Sequence, residues 1–275
     1  MQLKALFQHP KALPAIPRVM QELLASFSDE KVMVGYLVEC ISSDQVLSAQ
    51  LLRLANSAYY QVPHTVATVA DAVALLGFTN VRTLVISLGL TGSFKVMPGF
   101  HAAQFWRHSL HTAVASRHLS APLGLNTELA FTVGLMHAIG ELVMHLAMPD
   151  EMLALGQSVK LLDPQRLDAQ QATFGYSHPE VGAELARQWQ FPLVFSNAIA
   201  SAGRPLAPST FDPLAALVHI AAWRSRAQEN QLSAEAMTAS WPADVAAAIA
   251  LPGAAVLQDL APLDQLTDGL AHLLA

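Results

Sequence analysis

Apolar residues recur three and four apart along almost the whole of this chain, and strict alternation never lasts beyond four or five residues. That periodicity constrains the fold more than any other feature, because it lays a stripe down one side of a helix and leaves no segment patterned as a half-buried strand. Asp44 reads as an N-cap ahead of Leu47, Leu51 and Leu54, which stand at i, i+4 and i+7. Asp71 falls at or near the start of the helix ADAVALL, and Gly77 ends it as a C-cap. Val81, Leu84, Val85 and Leu88 make a further stripe, with Thr79 or Asn80 to cap it. Alanine and leucine supply much of a 53% hydrophobic content while aromatics are only 7%, which favours helices over sheets. The expected fold class is all-α.

The run FKVMPGF, with Pro98 and Gly99, interrupts the pattern and marks a joint between two lobes, residues 1–98 and 99–275. Three helical stretches follow it: AAQFWRHSLHTAVASRHLSA, LNTELAFTVGLMHAIGELVMHLA and HPEVGAELARQWQ. Trp106, Leu135 and Val143 fall on apolar faces and are expected in the core. Pro179 suits a first helical turn. SAGRPLAPSTFDP is a loop by composition, PLAALVHIAAWRSRA is a further helix, and Pro242 and Pro252 punctuate short ones near the end.

Charge is sparse, at 13% of residues, and the net charge is −6. Residues 1–100 carry 7 basic and 6 acidic groups, whereas residues 211–275 carry 2 and 7. No clustered Lys/Arg face exists for nucleic acid or an acidic membrane, so neither is an expected partner. So few charges point instead to an oligomer face or a partner-protein face. The single cysteine, Cys40, excludes an internal disulfide and a site of several thiolates, and reads as a small apolar side chain on a helix. The N-terminus lacks the apolar run of a signal peptide, and the most apolar helix is interrupted by His137, Glu141 and His145. A cytoplasmic location is expected.

Eleven histidines put metal chemistry in question. His101, His108, His111, His118, His137, His145, His178 and His219 all lie beyond the joint. His108 and His111 share a helix face, and His137, Glu141 and His145 stand at i, i+4 and i+8. HExxH, CxxC, phosphate loops, GxGxxG and GxSxG are all absent.

Taken in order, LPAIPRVMQELL, DQVLSAQLLRLANSAYYQ, VADAVALLGFTNVRTLVISLGL, FWRHSLHTAVASRHLS, AFTVGLMHAIGELV and FGYSHPEVGAELARQWQFP resemble the HDOD family of bacterial signalling domains, over roughly residues 13–220. The resemblance implies an all-helical relative of the HD phosphohydrolases, its second lobe being the HD-related one. Those enzymes hold a divalent metal with a His, a His-Asp doublet and a later Asp. By that resemblance His108 matches the first ligand and His137 the His of the doublet, but the two Asp positions are Ala138 and Ala222. Two neutral imidazoles supply neither the charge nor the coordination number of a catalytic divalent site. Glu141, three residues beyond Ala138, is expected to point elsewhere, while His178 and His219 are extra donors that keep an all-histidine site open as the competing reading.

The resemblance therefore implies a non-catalytic regulatory output protein with no catalytic residue, metal or cofactor. His108, His137, Ala138, His178, His219 and Ala222 would line a vestigial cleft open to a small-molecule ligand, and signalling proteins would be the partners. Two alternatives stand beside it. One is a residual metal-dependent phosphohydrolase on nucleotides or cyclic dinucleotides. The other is a nucleic-acid-binding regulator using ADAVALLG and TNVRTLVISLG as a helix pair, whose second helix offers only Asn80 and Arg82 as polar readers.

Overall fold

The computed structural model describes residues 3–8, 30–56, 65–78, 81, 85, 99–253 and 263, and among them the regular structure is helical throughout. The chain divides into two compact units, one built from residues 15–94 with 267–275 and the other from 95–266 with 1–14.

In the unit of residues 15–94, α2 (Glu30–Ser43), α3 (Gln45–Ala55) and α4 (Val69–Leu76) pack on one another. Asp44 caps α3 by accepting the Leu47 amide at 3.0 Å. The expected stripe of Leu47, Leu51 and Leu54 is buried, together with Leu37 and Ile41 of α2 and Val73 and Leu76 of α4. Thr68 is the N-cap of α4; its hydroxyl accepts the Asp71 amide at 3.1 Å, and Asp71 sits in the first turn, near the helix start as expected. Gly77 closes the helix, as its position after the last apolar residue implied. Of the next expected stripe, Val81 and Val85 are buried, while Leu84, Leu88, Thr79 and Asn80 lie outside the described residues. Cys40 is a free thiol, half-buried on α2.

The other unit holds α1 (Leu3–Leu6) and the helices that frame the histidines. These are α5 (Ala102–Ser120), α6 (Thr127–Met136), α7 (Ile139–Ala147), α8 (Pro149–Ser158), α9 (Arg166–Phe174), α10 (His178–Gln188), α11 (Leu193–Ala202), α12 (Pro213–Glu229), α13 (Ala234–Ala239) and α14 (Ala243–Ala248). The long helix α5 packs against both α6 and α12, α7 packs on α10, and α11 joins α10 to α12. Trp106, Leu135 and Val143 are all buried, as their helix faces predicted.

The expected single helix through LNTELAFTVGLMHAIGELVMHLA is corrected here. It breaks at His137 and Ala138. Ala138 leaves helical geometry at φ −106°, ψ 11°, and the Glu141 amide donates to its carbonyl at 2.9 Å to start α7. His137 folds back to bond the Gly134 carbonyl. The i, i+4, i+8 face expected for His137, Glu141 and His145 is thus bent. His137 and Glu141 border one cavity, whereas His145 borders a neighbouring one and packs on the Phe100 ring at 4.6 Å. The stretch Thr127–Ala147 is apolar enough by composition to cross a membrane, but 89% of its apolar window is buried inside the protein.

Candidate functional site

Each histidine of the site is held at its Nδ1 atom. His108 on α5 faces Ser225 of α12, Nδ1 to Oγ at 2.7 Å, while the serine hydroxyl reaches back to the His108 carbonyl at 3.2 Å. His137, in the turn between α6 and α7, donates Nδ1–H to the Gly134 carbonyl at 2.7 Å. Its ring meets His108 edge to face, with centroids 5.1 Å apart. His219 on α12 donates Nδ1–H to the Ala202 carbonyl at 2.9 Å. A carbonyl only accepts, so these contacts fix the neutral tautomer and leave Nε2 as a lone pair.

His178 opens α10, whose start is held by the Ser177 amide donating to Glu180 at 2.7 Å and by Pro179 in the first turn. Both its main-chain N–H and its Nδ1 lie 2.9 Å from Gln170 Oε1. Gln170 in turn donates Nε2 to Glu141 at 2.6 Å. Arg166, one turn earlier on α9, gives Glu141 two further hydrogen bonds of 3.1 Å each. Close packing makes this junction. A Cβ at Gly140 would overlap the main-chain oxygen of His178 and stand 2.7 Å from the Gly182 amide nitrogen, so α7 meets α10 backbone to backbone.

His108, His137, Ala138, His178, His219 and Ala222 all line one cavity of ≈260 Å³, so the six positions singled out in the sequence come together. Glu141, Arg166 and Arg226 line it too. Glu141, expected not to point where an Asp at position 138 would, borders the same chamber with its carboxylate bonded to Arg166 and Gln170. Arg226 is not among the residues expected at the site, although His219, Ala222 and Arg226 stand at i, i+3 and i+7 on α12, a spacing that puts them on one face.

Burial sets the electrostatics. It lowers the proton affinity of His108 well below the ordinary histidine range, and the charges of His137 and Arg226 lower it further. Burial likewise pulls His137 down to about 3 against the favourable Gly134 bond, with His178 and Arg226 adding to the shift. His219 is lowered by burial, less its bond to Ala202. These rings are neutral at pH 7. Burial alone would raise Glu141, but the hydrogen bond and charge of His178 and the Arg166 guanidinium overcome it and hold the carboxyl well below its usual range. Burial lowers Arg226 to about 10, which leaves it protonated at neutral pH.

These donors do not fit a divalent metal. Among the described residues no group of three or more His, Cys, Asp or Glu is placed to hold one. The Glu141 carboxylate is already engaged by Arg166, Gln170 and His178, and Ala138 and Ala222 line the cavity without any side-chain donor.

Comparison with known proteins agrees with the fold. A solved structure of a phosphohydrolase candidate from Shewanella amazonensis SB2B matches with 30% identity and a TM-score of 0.76, over 98% of each chain. An HDOD domain protein of unknown function from Geobacter sulfurreducens matches at 21% identity and a TM-score of 0.73, over 98% of this chain and 94% of its own. An uncharacterized protein of Treponema pallidum (strain Nichols) is 28% identical over 214 residues, 76% of this chain, and this chain spans only 41% of that relative's length. The model of the HDOD domain matches residues 13–205, and the chain belongs to the HDOD family.

Proposed function

We propose that this chain is a non-catalytic regulatory module of bacterial signal transduction, working in the cytoplasm through contact with signalling proteins. The observation that carries the reading is the cavity wall itself, where alanines 138 and 222 stand among four histidines and Glu141 is tied into an ion pair. Metal-assisted hydrolysis needs an open coordination position on a charged ligand set to lower the pKa of water. This wall offers imidazoles, those of His108, His137 and His219 held neutral by burial, and a carboxylate already engaged. Exposed apolar side chains support a contact role: Leu193 is 70% exposed and Leu206 48%.

The Shewanella relative's description as a phosphohydrolase candidate supports a second reading, a residual phosphohydrolase on nucleotides or cyclic dinucleotides. One experiment separates the two. The purified protein is assayed with manganese against a phosphomonoester and a cyclic dinucleotide, beside the double variant Ala138→Asp/Ala222→Asp. On the regulatory reading the natural chain binds manganese negligibly by calorimetry and releases no phosphate, while the double variant gains metal affinity. Manganese-dependent hydrolysis by the natural chain, abolished by His108→Ala, would overturn it.

A further inference from the structure

Among the described residues, one charge in the wall of the cavity has no charged partner. Arg226 lines it and takes part in no ion pair or side-chain hydrogen bond among the described residues, and burial is the only influence acting on its proton affinity. Its charge is felt by His108, His137 and His219, which line the same cavity. The other charged groups of the wall are accounted for. Glu141 and Arg166 neutralise each other. Asp163, which also borders the neighbouring cavity, accepts the Gln165 amide at 2.8 Å and makes no ion pair with Arg226. A half-buried guanidinium that lines a cavity with no carboxylate partner among the described residues is open to an anion.

We propose that the cavity binds a compact phosphate monoester bearing free hydroxyls, its phosphoryl group seated on Arg226 and its hydroxyls donating to the imidazole Nε2 atoms. The planar guanidinium fork matches phosphate oxygens without a metal. His137 and His219 spend Nδ1–H on main-chain carbonyls, so their Nε2 atoms accept and call for donors on the ligand. An anion alone would not satisfy them; a hydroxylated one would. Volume sets the upper limit. At ≈260 Å³ the cavity falls just below the ~300 Å³ at the small end of ligand sites, room for a sugar monophosphate and too little for a dinucleotide.

The inference rests on the metal-free regulatory reading above, and its test separates the two. Ribose 5-phosphate is titrated calorimetrically into the full chain with and without a chelator, with Arg226→Gln, Arg226→Lys and Arg204→Gln as variants; Arg204 is an exposed arginine that does not line this cavity. Saturable binding is expected in the natural chain and in Arg204→Gln. It should weaken about 10-fold or more in Arg226→Gln, the loss of one charge-assisted pair, and by less in Arg226→Lys. If Arg226→Gln fails to fold, the natural chain and Arg226→Lys still decide. No saturation by concentrations on the order of 10 mM, or undiminished affinity in the Arg226 variants, overturns the ligand and leaves the regulatory reading standing. Binding that the chelator abolishes overturns both, because a metal would then be holding the phosphate.

Discussion

Glu141 and Arg166 face each other side chain to side chain inside the protein, two parallel hydrogen bonds of 3.1 Å joining groups that are only 2% and 4% exposed. The bond spans the 25 residues between α7 and α9 and, through Gln170, carries on to His178 at the start of α10. Three helices are thereby tied at one carboxylate. Removing one member of such a pair strands the other charge away from water, which typically costs about 3–5 kcal/mol. Arg166→Met is expected to fall in that range by urea denaturation, and Glu141→Leu/Arg166→Met to recover part of the loss because no lone charge remains. Recovery stays incomplete, since Gln170 and His178 lose an acceptor. A loss below about 1 kcal/mol in the single variant would show that the pair contributes little to the junction.

Acid should weaken this protein well before its carboxylates titrate. Burial lowers His108, His137, His145 and His219 in the folded chain, His137 to about 3, while the unfolded chain takes up their protons near the ordinary histidine value of 6.5. Between those limits the unfolded state binds more protons, so stability rises with pH and falls as the solution is acidified below about 6.5. Each imidazole contributes a slope of up to about 1.4 kcal/mol per pH unit. Glu141, held low in the folded chain, adds a loss in the same direction only below its ordinary value of 4.5. Urea midpoints measured from pH 7.5 to 5 should therefore decline steadily, and less steeply in His137→Gln. A flat profile across that interval would mean that the rings are protonated in the folded state.

Much of the architecture is legible in the sequence because helices carry local signals. Asp44, Gly77 and Pro179 mark ends, and the leucine stripe of α3 marks a buried face. The break at His137–Ala138 is not legible. Met136, Ala138 and Ile139 continue an apolar helical pattern, and what interrupts it is a histidine bonding back to Gly134 together with the docking of α7 on α10. For the same reason the surroundings of Glu141 are not legible, since its partners lie on α9 and α10. Arg226 differs, being readable from its spacing to His219 and Ala222. The family pattern points instead to the residues a metal would need.

Two glycines offer a test of packing with opposite signs. At Gly140 an added methyl would run into the His178 carbonyl and the Gly182 amide, and neither main chain yields without separating α7 from α10. Gly140→Ala should therefore cost about 1–3 kcal/mol or more by overpacking. The loosened junction should also shift His178 away from Glu141, which lie 3.2 Å apart, and this would appear in the NMR signals of the His178 ring. Gly156 lies within α8, and a Cβ there meets nothing within 4 Å. Gly156→Ala should stabilise by roughly 0.5–1 kcal/mol, because glycine is the poorer helix former and nothing obstructs its replacement. Equal effects at the two positions would argue that helix propensity alone governs both. Loss at Gly140 beside gain at Gly156 would identify backbone contact between α7 and α10 as what brings His178 to the cavity.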